Sequence, residues 1–225
     1  MRDFDQAIYW CTRAAESGYD MAQYNLGLIY ASAPPRFQEL ELAADWMRKA
    51  AISGLAAAQY ALSRFFEREI VHESVSGESM KWLGLAAEQG HAKASYRRAM
   101  AFETGDSVAA NRKIAMVWLK RSTERGYPVA QYELARRHVL SDQPEYAPDD
   151  AVRWYEKAAH QGHLRAQYGL AVCLASGKGV RRDMAGAYVW MSRAATGGLP
   201  KAEHRLRILE EQLEPGALRD AHRRL

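Results

Sequence analysis

Cysteine is nearly absent from this 225-residue chain. Cys11 and Cys173 stand far apart without a repeated spacing, which excludes a disulfide framework and predicts two free thiols, as in a reducing compartment. Proline is scarce at 7 residues, and none falls inside a predicted helix. No run of eighteen apolar residues occurs and mean hydropathy is −0.43, which excludes a membrane-spanning helix. The opening Met1-Arg2-Asp3-Phe4-Asp5-Gln6 carries no apolar leader, which predicts the cytoplasm if Met1 is the native start and the periplasm if an upstream signal peptide has been removed. Charge of one sign is also in short supply. Lys and Arg number 31 against 27 Asp and Glu, a net +4, which argues against a nucleic-acid surface despite a pI near 9.0.

What the chain has in quantity is alanine, 39 residues against 16 glycines, the composition of closely packed helices. It also has a period. Trp10, Trp46, Trp82, Trp118, Trp154 and Trp190 are spaced 36 residues apart. Eight residues after each stands a glycine, from Gly18 to Gly198, and four further on an alanine, from Ala22 to Ala202. Six residues past the glycine come Tyr24, Tyr60, Tyr96, Tyr132 and Tyr168, then His204. A fixed period of this length marks a repeat architecture.

Each position has a physical task. The small pair between Trp and Gly, as in Ala50-Ala51 or Ser122-Thr123, lets a second helix approach closely while the Trp fills the wider gap beside it. The glycine ends the helix in the left-handed region, and Pro128 and Pro200 fall in the first turn of the next one. In that second helix Ala22, Leu26 and Tyr30 form one stripe at the helical spacing. Each unit is thus a helical hairpin with two apolar faces, which buries them only by stacking. The prediction is an all-α fold, a right-handed α-solenoid of stacked hairpins forming a single domain over residues 1–225. It opens on a Trp-bearing helix at 3–17, repeats through 210 and closes on a capping helix at 211–225. Arg207 and Glu210 replace Gly27 and Tyr30 in the last hairpin, the polar outer face that a terminal repeat needs.

Gly177-Lys178-Gly179-Val180-Arg181-Arg182-Asp183, followed by Ala187, Trp190, Ala194-Ala195, Gly198 and Ala202, resembles a Sel1-like repeat, with the likeness covering about residues 3–210. Tetratricopeptide repeats have a period of 34 and a different signature, and the paired cysteines of the Hcp-type branch are lacking. The resemblance implies a non-enzymatic adaptor, since Sel1-like proteins act in bacterial signalling, envelope assembly and host interaction. Some positions depart from the pattern. Only one inter-helix loop keeps the complete G-x-G-V-x-x-D, Arg98 stands where Leu26 would, and His138 where Tyr30 would. Arg98 is expected to reach an acid such as Glu103. The first helix lacks the helix that should precede it, which leaves a face through which a dimer is conceivable.

No catalytic, metal or cofactor constellation emerges. His91 and His163 hold one repeat position at the helix-ending glycine, where a turn role outweighs a metal site because other ligands are missing. Neither cysteine has a neighbouring His, and no strand precedes Gly177-Lys178-Gly179-Val180, so it is not a phosphate loop. The second-helix positions three, seven and ten after the glycine lie opposite the packing stripe, and in the solenoids this chain resembles that face is concave. There Arg64, Lys93, Arg97, Arg136 and Arg165 run beside Tyr60, Tyr96, Tyr132 and Tyr168, residue types enriched at interface hot spots. These nine residues are the candidate site, for an acidic or extended segment of another protein. The tyrosines have an alternative task in covering the seam between helices. An immunity or inhibitor protein blocking a toxin or enzyme is the second reading, and single-stranded nucleic-acid binding a third that the modest net charge disfavours.

Overall fold

A computed structural model describes residues 2–32, 39–68, 77–140 and 147–224, with side chains placed from residue 6 onward. Among the described residues there are thirteen helices and no strand. They divide into two compact units, Met1–Arg125 and Gly126–Leu225. The first unit holds α1 (Arg2–Glu16), α2 (Asp20–Ser32), α3 (Leu40–Ile52), α4 (Ala56–Glu67), α5 (Glu78–Glu88), α6 (Ala92–Thr104) and α7 (Arg112–Glu124). The second holds α8 (Pro128–Leu140), α9 (Pro148–His160), α10 (Leu164–Ser176), α11 (Met184–Thr196), α12 (Pro200–Gln212) and α13 (Pro215–Arg223). Within each unit every helix packs mainly on its sequence neighbours, except α13, which packs on α11, as expected of stacked hairpins closed by a capping helix. The expected final helix at 211–225 corresponds to α13, while α12 continues to Gln212.

The six repeat glycines all take positive φ, from +81° at Gly162 to +98° at Gly54, so each ends its helix as the sequence predicts. The small pairs behind them are the closest-packed part of the core. Ala50, Ala51, Ala86, Ala87, Ser122, Thr123, Ala158 and Ala159 are all buried, with Leu26, Leu62, Leu134 and Leu170 packed behind them. Gly27 answers the same demand, since a Cβ there would lie 2.7 Å from the Met47 side chain.

A buried glutamine tightens three of the hairpins. Five residues past the glycine, the Nε2 of Gln23, Gln59 and Gln167 each donates to the carbonyl of Ala15, Ala51 or Ala159 at 3.2 Å. These bonds join the end of one helix to the start of the next. Gln89 and Gln161 then donate to the Oε1 of Gln59 and Gln131 at 2.8 and 2.9 Å, linking consecutive repeats.

The tryptophans follow a graded rule, not a uniform one. Trp118 is 7% exposed, whereas Trp10 is 63% exposed, and the other four are half-buried. Most carry a cation over the ring. Lys49 sits 3.8 Å from the Trp46 centroid, Lys157 4.1 Å from Trp154, and Arg98 and Arg121 4.3 and 4.6 Å from Trp118. Tyr9 and Trp10 form the exposed aromatic pair on α1, the face considered for a dimer.

Arg98 is accommodated in place of a core leucine because Gly84 opens the space opposite; a Cβ there would lie 3.3 Å from the guanidinium. Its carboxylate partner is Glu88, at 2.9 Å, and not the expected Glu103, because the guanidinium lies over Gly84 on α5, where it also donates to the Gly84 carbonyl at 3.3 Å, with the Trp118 ring 4.3 Å away. His138 is buried, and its Nδ1 accepts from the Ala147 N–H at 3.0 Å.

Of the inter-helix loops, residues 105–111 and 177–183 are described in full. In the complete motif, Gly177 caps α10, Asp183 caps α11 by accepting from the Gly186 N–H at 2.9 Å, and Lys178 donates to the Val139 carbonyl at 2.8 Å. Gly179 has φ +73°, and a Cβ on it would lie 2.3 Å from the Pro148 carbonyl oxygen. The loop at Gly105 departs from that sequence yet keeps its geometry. Gly105 caps α6, Ser107 takes φ +61° where Gly179 stands, and Asn111 caps α7. The departing loops at 32–35, 69–72 and 141–144 lie wholly or mostly outside the described residues.

Candidate functional site

The candidate residues fall on α4 and α6 in the first unit and on α8 and α10 in the second. In the first unit Arg64 pairs with Glu67 one helical turn on, and the Arg97 Nη2 reaches the same Glu67 oxygen at 2.6 Å from the next second helix. Two guanidiniums therefore share one carboxylate, and the local balance stays positive. Lys93 is exposed and has no carboxylate partner among the described residues. In the second unit Arg136 is held by Glu133 through Nε at 3.2 Å and Nη2 at 3.0 Å, and that hydrogen bond raises its pKa. Arg165 is exposed and has no such partner among the described residues. Glu67 was missed at the sequence level, because it lies thirteen residues past its glycine and only tertiary packing brings Arg97 to it.

The tyrosines are half-buried. Tyr60 stacks on His91 with centroids 4.6 Å apart and planes at 27°, and Tyr132 lies 5.0 Å from His163 and 6.0 Å from Tyr155. Both histidines are turn residues of a specific kind. Each Nδ1 accepts at 3.2 Å from the backbone N–H three residues on, Ala94 or Ala166, and so caps α6 or α10. Burial pushes both pKa values below the ordinary 6.5, helped by Lys93 and Arg165 respectively. Tyr60 and Tyr132 thus cover the seam between repeats on one side and stay half-exposed on the other. Tyr168 differs, for it borders a recess of about 520 Å³ with Pro200, Lys201, His204 and Arg205.

Among the described residues no three His, Cys, Asp or Glu side chains gather to hold a metal ion, and no helix is long and apolar enough to cross a membrane. Cys173 is buried, and burial raises its thiol pKa, the environment of a packing residue.

The family model of the Sel1 repeat matches residues 1–19, 20–55, 56–91, 92–127, 128–163 and 164–199. Among solved structures, a Sel1 repeat protein from Oxalobacter formigenes is 33% identical with a TM-score of 0.83, covering 90% of this chain and 58% of its own. A protective antigen of uropathogenic Escherichia coli displaying an SLR fold is 26% identical, with a TM-score of 0.75 over 96% of this chain and 54% of its own. The chain thus spans little more than half the length of these two relatives. An immunity protein from Pseudomonas aeruginosa, 18% identical with a TM-score of 0.56 over 84% of this chain and 72% of its own, shares the fold. None of the curated proteins matches the sequence. Sel1 repeat proteins generally mediate protein–protein interaction. With its 36-residue period, its glycine-ended hairpins and six consecutive matched repeats, this chain belongs to the Sel1 repeat family.

Proposed function

We propose that this protein is a non-enzymatic interaction scaffold that holds an acidic or extended segment of a partner protein on the second-helix faces. In the first unit the contact residues are Tyr60, Arg64, Lys93, Tyr96 and Arg97, and in the second Tyr132, Arg136, Arg165 and Tyr168. The observation that carries this reading is the uncompensated positive charge of both faces: among the described residues Lys93 and Arg165 have no carboxylate partner, and Arg64 and Arg97 share one. Capture on such a surface sums many shallow contacts, with charge speeding encounter and aromatic edges excluding water.

The test is affinity capture with chemical cross-linking from the native source, comparing wild type with Lys93→Glu/Arg165→Glu. Neither substitution breaks an internal ion pair, so the variant folds and melts as wild type does. Loss of the wild-type partner is expected; equal capture by both proteins would overturn the assignment of the face. The inhibitor reading predicts in addition that the captured partner is a toxin or enzyme whose activity the scaffold abolishes at one-to-one stoichiometry.

A further inference from the structure

The repeat lets one hairpin serve as a template for another. In the first unit Arg97, seven residues past its glycine, reaches Glu67, thirty residues upstream. The same register in the last hairpin pairs Arg205 with position 175, which is alanine. Val172 likewise replaces Arg64, the other cation on that carboxylate. Arg205 is exposed and has no ion pair among the described residues. Where the first unit has a carboxylate, the second has a recess of about 260 Å³, bounded by Arg205, Ala175, Val172, Met191, Ile208 and Gln212 among others. The larger recess beside Tyr168, Lys201 and His204 shares Arg205 as a wall.

We infer that this recess takes a glutamate or aspartate side chain from an extended partner segment. The carboxylate sits on Arg205 as Glu67 sits on Arg97, and a neighbouring apolar side chain rests on Val172 and Ile208. The inference rests on the scaffold reading above and deepens it by locating the anchor on α10 and α12. Charge complementarity decides for an acidic segment, since the second recess adds the Lys201 cation and no wall residue of either recess is acidic. The apolar wall decides for a peptide over a free inorganic anion, which would have no use for Val172, Met191 and Ile208.

The probe is a fluorescein-labelled peptide of alternating glutamate and leucine, amidated at its C-terminus, measured by anisotropy on the full chain. Its glutamine-for-glutamate counterpart and a glutamine–leucine peptide with a free C-terminus complete the set. Ala175→Glu rebuilds the internal partner and Arg205→Gln removes the anchor, so either should weaken the glutamate peptide about tenfold or more. Glutamate is a good helix former, and unchanged circular dichroism for both variants confirms their folding. Equal binding by wild type and Ala175→Glu would overturn the inference. So would equal binding of the glutamine peptide, tighter binding of the free C-terminus, or no binding of the glutamate peptide by wild type. A native partner retained by Ala175→Glu but lost by Lys93→Glu/Arg165→Glu would sink the recess and leave the scaffold standing. Loss from neither variant would sink both.

Discussion

Trp118→Ala and Trp10→Ala make the same substitution at equivalent repeat positions but in opposite surroundings. Trp118 is 7% exposed, wedged beside the Ser122-Thr123 pair and covered by the Arg98 and Arg121 guanidiniums. Truncation removes a buried ring, leaves a cavity and strips two cations of their aromatic contact, for a loss of about 3–5 kcal/mol. Trp10 is 63% exposed, so its truncation removes little buried area and costs about 1 kcal/mol or less. At about 2–4 °C per kcal/mol for a chain of this size, Trp118→Ala lowers Tm by roughly 6–20 °C and Trp10→Ala by a few degrees at most. Urea titration followed by far-ultraviolet circular dichroism reads both, and nearest-neighbour coupling between repeats predicts that the Trp118 variant loses cooperativity as well as midpoint. Equal losses in the two variants would refute the graded burial of the tryptophans, and an unchanged Trp118→Ala curve would refute its role in packing.

Three further outcomes follow from local geometry. The neutral Nδ1 of His91 and His163 caps a helix, and both pKa values are lowered in the fold. Below about pH 6.5 the unfolded chain therefore takes up protons that the native state refuses, so stability present at pH 7.5 is lost as pH falls through the depressed folded values. Denaturant midpoints should drop between pH 7.5 and 5.5, and by less in His91→Asn/His163→Asn, which keeps an N-cap without a titrating group. An identical drop in that variant would refute the histidine origin. Gly179→Ala should cost several kcal/mol by thermal melting, because its Cβ meets the Pro148 backbone at 2.3 Å and cannot be accommodated by a side-chain shift. Ser107→Gly should raise Tm slightly by relieving the left-handed conformation at φ +61°; a lower Tm would show that its hydroxyl contact with Asp106 dominates.

The period, the hairpins, the glycine stops and the family were legible in the sequence, because they depend on short-range rules that recur every 36 residues. A glycine past a helix, a small pair before it and a proline in a first turn act within a few residues of themselves. The turn role of His91 and His163 was legible for the same reason. The ion pairing of the candidate face was not legible. Whether Arg97 is open to a partner depends on Glu67, and whether Arg205 is open depends on Ala175. Both lie on a neighbouring second helix thirty residues away. Equally, Ser107 shows that one loop keeps the motif's geometry after losing its residues. Sequence by itself determined the repeat, since local backbone preference and periodic burial are encoded residue by residue. Only tertiary structure decided which cations are already neutralised and which tryptophans are buried, because ion pairing and burial are set by the helix packed alongside.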